Sequence, residues 1–254
     1  RIVHAVQCRL AVRGKGPPIL ANTPPEDRTQ NIIIAIDGPA GAGKSTVASR
    51  LAGRLGVPYL DTGSMYRAVA LLALRDGLEP PLDERAATHV INLMDRHRIE
   101  VEAANGATVI LVDGLDVGTD IRSPECSLMA SAVSAIAEVR KALVPLQREL
   151  GLQKGGVMEG RDIGTVVFPD ADLKVFLTAS IDERARRRHG DLREREMDTS
   201  FEEVREQQQQ RDLQDTSRAD SPLQVARGSV VVDTTGLTLD EVVERLFEEV
   251  VRIR

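Results

Sequence analysis

Tryptophan is absent, and aromatic residues make up only 2% of the 254-residue chain. A core must therefore be filled from Val, Leu, Ile and Ala. That suits strands buried between helices and argues against a nucleic-acid module built on stacking aromatics. Cysteine is scarce too: Cys8 and Cys126 stand far apart, so the spacing encodes neither a disulfide framework nor a thiolate metal site. The four histidines, His4, His89, His97 and His189, share no ligand spacing. No apolar run approaches the roughly 18 residues of a spanning helix. Positive charge is in deficit, with a formal net charge of -6, so the field of the whole molecule does not draw nucleic acid or anionic lipid. Any anion site has to be a local arginine cluster on an acidic surface. No nucleic-acid or membrane partner is expected, and a reducing, cytoplasmic setting fits the cysteine usage.

What is present is a long aliphatic chain, 42% hydrophobic, able to bury a full core as one domain with insertions or as two. Residues 1–15 are basic and acid-free in the manner of a transit leader, but they carry no Ser. GKGPP and NTPPEDRTQ read as linker. Residues 1–30 are expected to be a disordered extension outside the mechanism.

From Asn31 the pattern becomes regular. The β-branched run IIIAI (Ile32 to Ile36) leads into a glycine loop and then VASRLAGRL, whose Val47, Ala48, Leu51, Ala52 and Leu55 recur at helical spacing. Gly56 and Pro58 stop that helix. VPYLD reads as a second strand ending at Asp61, MYRAVALLALRDG as a helix closed by Gly77, and GGVME, LKVFLTA and SVVVDTT as three more strands. Apolar strands separated by helices predict an α/β fold with a five-stranded parallel sheet and helices on both faces. Two stretches interrupt the alternation. Arg98 to Asp113 alternates with period two around Asn105-Gly106, a hairpin signal that predicts a small inserted antiparallel piece. Glu183 to Arg218 is dominated by charge and reads as a solvated helix pair, with nothing further attached to the Gln207 to Gln210 run.

Gly38-Pro39-Ala40-Gly41-Ala42-Gly43-Lys44-Ser45 fits G-x-x-x-x-G-K-[ST], with the strand before it and the helix after it that the motif needs. The glycines expose successive backbone N–H groups toward phosphate, Lys44 reaches β and γ oxygens, and Ser45 ligates magnesium. A nucleotide-phosphate site is therefore expected over Gly38 to Thr46. A guanine-reading N-K-x-D is absent, the one D-x-x-G (Asp233 to Gly236) is out of order for a GTPase switch, and no apolar run ends in Asp-Glu as a motor ATPase would require. A small kinase remains, with arginines for its acceptor. Asp61-Thr62-Gly63-Ser64-Met65-Tyr66-Arg67 opens a helix after the second strand and offers an N-terminal anion site with Arg67 one turn in.

DTGSMYR resembles the acceptor-phosphate segment of nucleoside monophosphate kinases, and GRDIGTVVFPDA is most similar to the bacterial type of cytidylate kinase; the likeness covers about residues 31–254 and includes the hairpin insert. The resemblance implies transfer of the γ-phosphoryl group of ATP to CMP or dCMP, with Mg2+, by a monomer. It also implies a core of residues 31–61, 155–182 and 217–254, an acceptor domain of residues 62–154, and a helical lid of residues 183–216. Residue by residue, Thr62 and Arg67 would hold the acceptor phosphate with Arg161 beside it. Ser131, Arg140 and Asp162 would read cytosine, and Tyr66 would line the sugar or base. RDLQDTSR, matching R-D-x-x-D-x-x-R, would give Arg211 and Asp215 to the ribose and Arg218 to the phosphates. Arg184, Arg187 and Arg188 look like lid arginines near the donor. Glu159, and alternatively Asp37, would help hold hydrated magnesium. A carboxylate at 162 accepts from the N4 amine of cytosine and repels the carbonyl of uracil. Two other readings stay open: a P-loop kinase for another small molecule, such as shikimate or dephospho-coenzyme A, and a nucleotide-sensing protein without turnover.

Overall fold

The computed structural model describes residues 9–12, 32–104 and 107–253. In chain order it runs β1 (Arg9–Val12), β2 (Ile33–Asp37), α1 (Lys44–Leu55), β3 (Tyr59–Asp61), α2 (Thr62–Arg75), α3 (Glu84–Arg96), β4 (Arg98–Ala104), β5 (Ala107–Val112), β6 (Leu115–Asp116), α4 (Pro124–Ser134), α5 (Ala137–Lys154), β7 (Gly156–Gly160), a π-helical turn (Ile163–Val167), β8 (Leu173–Thr178), α6 (Ile181–Glu194), α7 (Phe201–Ser217), β9 (Val230–Asp233) and α8 (Leu239–Ile253).

Five strands make the main parallel sheet in the order β3-β7-β2-β8-β9. Strand β2 runs parallel to β8 with Ile34 opposite Leu173, and β8 runs parallel to β9 with Val175 opposite Val230. Ile34, Ala35 and Ile36 are all fully buried, which happens only when both faces of a strand are covered. Each of the five expected strands is present within one or two residues. Between them, α1 buries Val47, Ala48, Leu51 and Ala52 and ends at Gly56, whose φ of 68° lets its N–H turn back to the last carbonyls. Helix α2 starts at Asp61, whose side chain accepts the Ser64 N–H. Helix α8 presents Val242, Val243, Leu246 and Val250 as one buried stripe.

A second, smaller sheet has the order β1-β4-β5-β6. Strands β4 and β5 pair antiparallel from Ile99–Val112 to Ala104–Ala107, and β6 continues the meander. This is the predicted insert; its turn residues, Asn105 and Gly106, lie outside the described residues. Strand β1 pairs parallel to β4 from Arg9–Arg98 to Val12–Val101. The expectation of disorder over residues 1–30 therefore fails for Arg9–Val12. An open sheet edge recruits a strand through backbone N–H and C=O groups, which composition does not advertise. The rest of that segment, with His4 and Cys8, lies outside the described residues.

Two compact units result. One holds Pro58–Gly156 together with the leading strand, and the other Ile32–Val57 with Val157–Arg254. The stretch expected as a lid forms α6 and α7 in the second unit. The pair is less solvated than its charge suggests, because Ala185, Leu192 and Val204 make a small core that Met197 and Phe201 flank. Ser200 starts α7 with a reciprocal capping box to Glu203.

Leu246 on α8 is fully buried. Leu246→Ala is expected to destabilise the fold by about 2–5 kcal/mol. Denaturant unfolding measures this, and a loss below about 1 kcal/mol would contradict the packing described.

Candidate active site

The phosphate loop grows from the end of β2. Gly38 has φ 148°, and a Cβ there would lie 1.9 Å from the Leu177 carbonyl oxygen, so only glycine lets the loop leave the sheet here. A Cβ at Gly41, φ 78°, would meet the Arg184 Cβ at 3.0 Å and the Gln208 Nε2 at 3.1 Å, so the loop is packed tightly beneath α6 and α7. Helix α1 has no acidic residue in its first turn, which leaves its positive end available to an anion. Ser45 and Thr46 are exposed there. Lys44 is buried and donates from Nζ to the Pro39 carbonyl at 2.6 Å. Burial, then the neighbouring Arg161, with Arg211 adding to it, lowers the Lys44 pKa to about 7; Glu159 and Asp215 pull the other way.

Of the three expected lid arginines, Arg184 holds this loop directly and Arg187 reaches it through Thr234. Arg184 is buried and donates to the Ala40 carbonyl at 3.2 Å, to the Ala179 carbonyl, and through both terminal nitrogens to Asp212 at 3.0 and 2.6 Å. Arg187 donates to Glu183 and to the hydroxyl and carbonyl of Thr234 at 3.0 and 2.8 Å. Arg188 lies half-buried on the same helix. Thr234 and Asp212 were missed by sequence reasoning. The single proton of the buried Thr234 hydroxyl is shared between the Ala42 carbonyl at 3.3 Å and the Thr178 carbonyl at 3.1 Å, so it ties the loop to β8 and α6. Asp212 is the second letter of the RDLQDTSR pattern, and its partner 28 residues away left no local signal.

At the end of β7, Glu159, Arg161 and Asp162 form the charged elbow. Glu159 and Asp162 are buried. Arg161 donates from Nε to Asp215 at 2.8 Å and from Nη1 to the Gly160 carbonyl at 3.3 Å. Arg218 approaches Asp162 at 3.9 Å and donates to the Ser221 carbonyl. Burial alone would raise the Asp215 carboxyl, but Arg161, Arg211 and Arg218 outweigh it and hold the group below its ordinary value. Four cations, Lys44, Arg161, Arg211 and Arg218, thus gather about Asp215 with Glu159 and Asp162 as the other nearby carboxylates, an arrangement suited to a highly charged anion. Asp37 has both carboxylate oxygens engaged by backbone donors, at 2.8 Å from the Ile163 N–H and 2.7 Å from the Gly164 N–H. Burial nevertheless pushes its pKa up to about 6.

Five further expected residues belong to the other compact unit. Thr62 opens α2 and is buried. Arg67, one turn on, forms an ion pair with Asp61, so in this structure the anion at the helix start is the protein's own. Tyr66 lies beneath Arg140 of α5, whose guanidinium carbon is 5.7 Å from the ring centre. Ser131 is buried on α4. From the same helix the Cys126 thiol donates to the Arg67 carbonyl at 3.2 Å, and burial pushes its pKa up to about 11.

A glycine cradle at the end of a parallel strand, a buried lysine, and arginines delivered by a helix pair define a P-loop kinase. The family model for cytidylate kinase matches residues 34–252, and the chain belongs to that family. It is 44% identical over 219 residues to a cytidylate kinase of Caldicellulosiruptor saccharolyticus, covering 86% of this chain and 95% of the relative. It is 47% identical over 219 residues to one of Caldanaerobacter subterraneus, covering 86% and 94%, and 48% identical over 215 residues to one of Carboxydothermus hydrogenoformans, covering 85% and 95%.

Asp215→Asn removes the central counter-charge and is expected to destabilise the protein without nucleotide by about 3 kcal/mol. Because the pKa is depressed, that contribution is complete above the ordinary value of 3.8 and fades as pH falls below it. The part of the stability gap between wild type and variant that the Asp215 charge supplies, measured by unfolding, should shrink as pH falls below about 4. Native Cys126 should resist iodoacetamide at about pH 8 and react once unfolded, as mass spectrometry of the labelled peptide would report; rapid native labelling would contradict its burial.

Proposed function

We propose that this protein transfers the γ-phosphoryl group of ATP to CMP or dCMP, giving ADP and CDP or dCDP. One observation carries the reading: Lys44 of the phosphate loop shares its surroundings with Arg161, Arg211 and Asp215, so donor loop and arginine cluster address one anionic centre. An acceptor phosphate oxygen is already nucleophilic, and catalysis reduces to alignment and neutralisation of spreading charge. Lys44, Arg161, Arg218 and Arg188 would supply that field. Loop residues Gly38 to Thr46 would cradle the ATP phosphates, with Arg187 over the loop's end and Arg184 holding the loop in place through Ala40 and Asp212.

Thr62 and Arg67 would bind the acceptor phosphate, and Arg67 would exchange Asp61 for it. Arg211 and Asp215 would meet the ribose, and Tyr66 would line the nucleoside. Asp162 would accept from the cytosine amine, Arg140 would donate to O2 or N3, and Ser131 would complete the base contacts. Uracil would face Asp162 with a carbonyl and leave a buried carboxylate unsatisfied.

Magnesium fits the residues present. Ser45 is exposed at the start of α1 and Glu159 lies close enough to Lys44 to act on its charge, oxygen donors of the kind taken by a hard cation held chiefly by phosphates. Ser45 and Glu159 would hold it, and bound there it would supply neutralisation of phosphate charge. The α6–α7 pair, acting as a lid, would exclude water, the competing acceptor.

ADP release measured over CMP, dCMP, UMP, AMP and non-nucleotide acceptors tests this. CMP or dCMP is expected to lead, Lys44→Ala to lower kcat about a hundredfold or more, and Asp162→Ala to narrow the CMP-to-UMP ratio about tenfold or more. A wild-type preference for UMP, or turnover with none of the nucleotides, would overturn it.

A further inference from the structure

Asp37 closes β2 and stands directly before the first glycine of the phosphate loop. Its carboxylate, 3% exposed, bonds 126 and 127 residues away, to the amides of Ile163 and Gly164. Those amides open the π-helical turn, in which Val167 N–H returns to the Asp162 carbonyl at 3.1 Å and Phe168 N–H to the Ile163 carbonyl at 2.6 Å. The first N–H groups of any helical turn lack partners within it, and Asp37 satisfies two of them. Gly164 eases the approach. A Cβ there would meet the Asp37 Oδ2 at 3.3 Å, the Ala226 Cβ at 3.3 Å and the Lys174 Cγ at 3.2 Å.

One side chain therefore joins the start of the donor loop to the turn that follows Arg161 and Asp162. Phosphoryl transfer needs donor and acceptor in line, and a displacement of about 1 Å can lower the rate about a hundredfold. We propose that Asp37 is a positioning residue: its carboxylate clamps the elbow carrying Arg161 and Asp162 to the root of the phosphate loop, fixing how acceptor contacts are registered against the donor. Both oxygens accept backbone N–H groups, so the clamp, rather than a place beside magnesium, is the role these contacts support. The inference rests on the phosphoryl transfer to CMP proposed above.

The test compares wild type with Asp37→Asn, which keeps the shape but turns an amide donor toward one of the two N–H groups. Gly164→Ala loosens the same clamp while leaving the carboxylate intact, and serves if Asp37→Asn fails to give a cooperative melt. In protein without nucleotide, exchange of the Ile163 and Gly164 amide hydrogens is expected to accelerate about tenfold or more. In turnover, KM for CMP should rise about tenfold and kcat should fall, while KM for ATP changes by less than about threefold. Unchanged exchange at both amides overturns the clamp. A raised ATP KM and magnesium requirement with an unaltered CMP KM would assign Asp37 to the metal instead, and overturns it equally. If wild type fails to phosphorylate CMP, the functional reading falls and takes the acceptor half of this inference with it; the exchange result still decides whether the clamp exists.

Discussion

Concentrated positive charge, gathered where a buried lysine meets arginines from distant parts of the chain, is the constraint on which the second unit is organised. Like charges at close range in a low-dielectric setting repel strongly, so the cluster depends on Asp215, which sits among Arg161, Arg211 and Arg218, and on backbone carbonyls that take some of the other donors. Arg161 reaches the Gly160 carbonyl, Arg218 the Ser221 carbonyl and Lys44 the Pro39 carbonyl. Burial first, and after it the excess of positive charge that Arg161 and Arg211 bring, depresses the Lys44 pKa. A polyphosphate would offset that excess, which links the electrostatics of the folded chain to the reaction proposed for it.

Rigidity around that charge comes from neutral and paired groups. Thr234 is a small hydroxyl on the loop after β9, yet it joins Ala42, Thr178 and Arg187. Arg184 and Asp212 tie α6 to α7 and press the pair onto the loop at Ala40. Asp37 does the same for the elbow. Catalysis that works by alignment needs such supports, because its reacting groups are only as well placed as the side chains that hold them.

Much of the fold was readable because its signals are local. The IIIAI run, the glycine loop and the spacing of Val47, Ala48, Leu51 and Ala52 are patterns within a few residues: shortness, β-branching and the flanking glycine mark the strand, and the period marks the helix. The hairpin insert was legible for the same reason. Strand β1 was not, since its pairing with β4 uses backbone groups common to any sequence. The charged run from Glu183 to Arg218 concealed the Ala185, Leu192 and Val204 core, because three apolar residues dispersed among so many charges leave hardly any periodic signal.

The sequence alone determined the chemistry available: a phosphate loop from Gly38 to Ser45, a charged elbow at Glu159 to Asp162 and an arginine set in RDLQDTSR, each a short-range pattern whose residue types carry their own reactivity. Tertiary structure decided which partner each charge takes. Arg161 pairs with Asp215 across 54 residues, Arg184 with Asp212 across 28, and Asp37 with two amides more than a hundred residues away. Such pairings are set by where strand ends and helix starts meet, a distance in space that no spacing along the chain encodes.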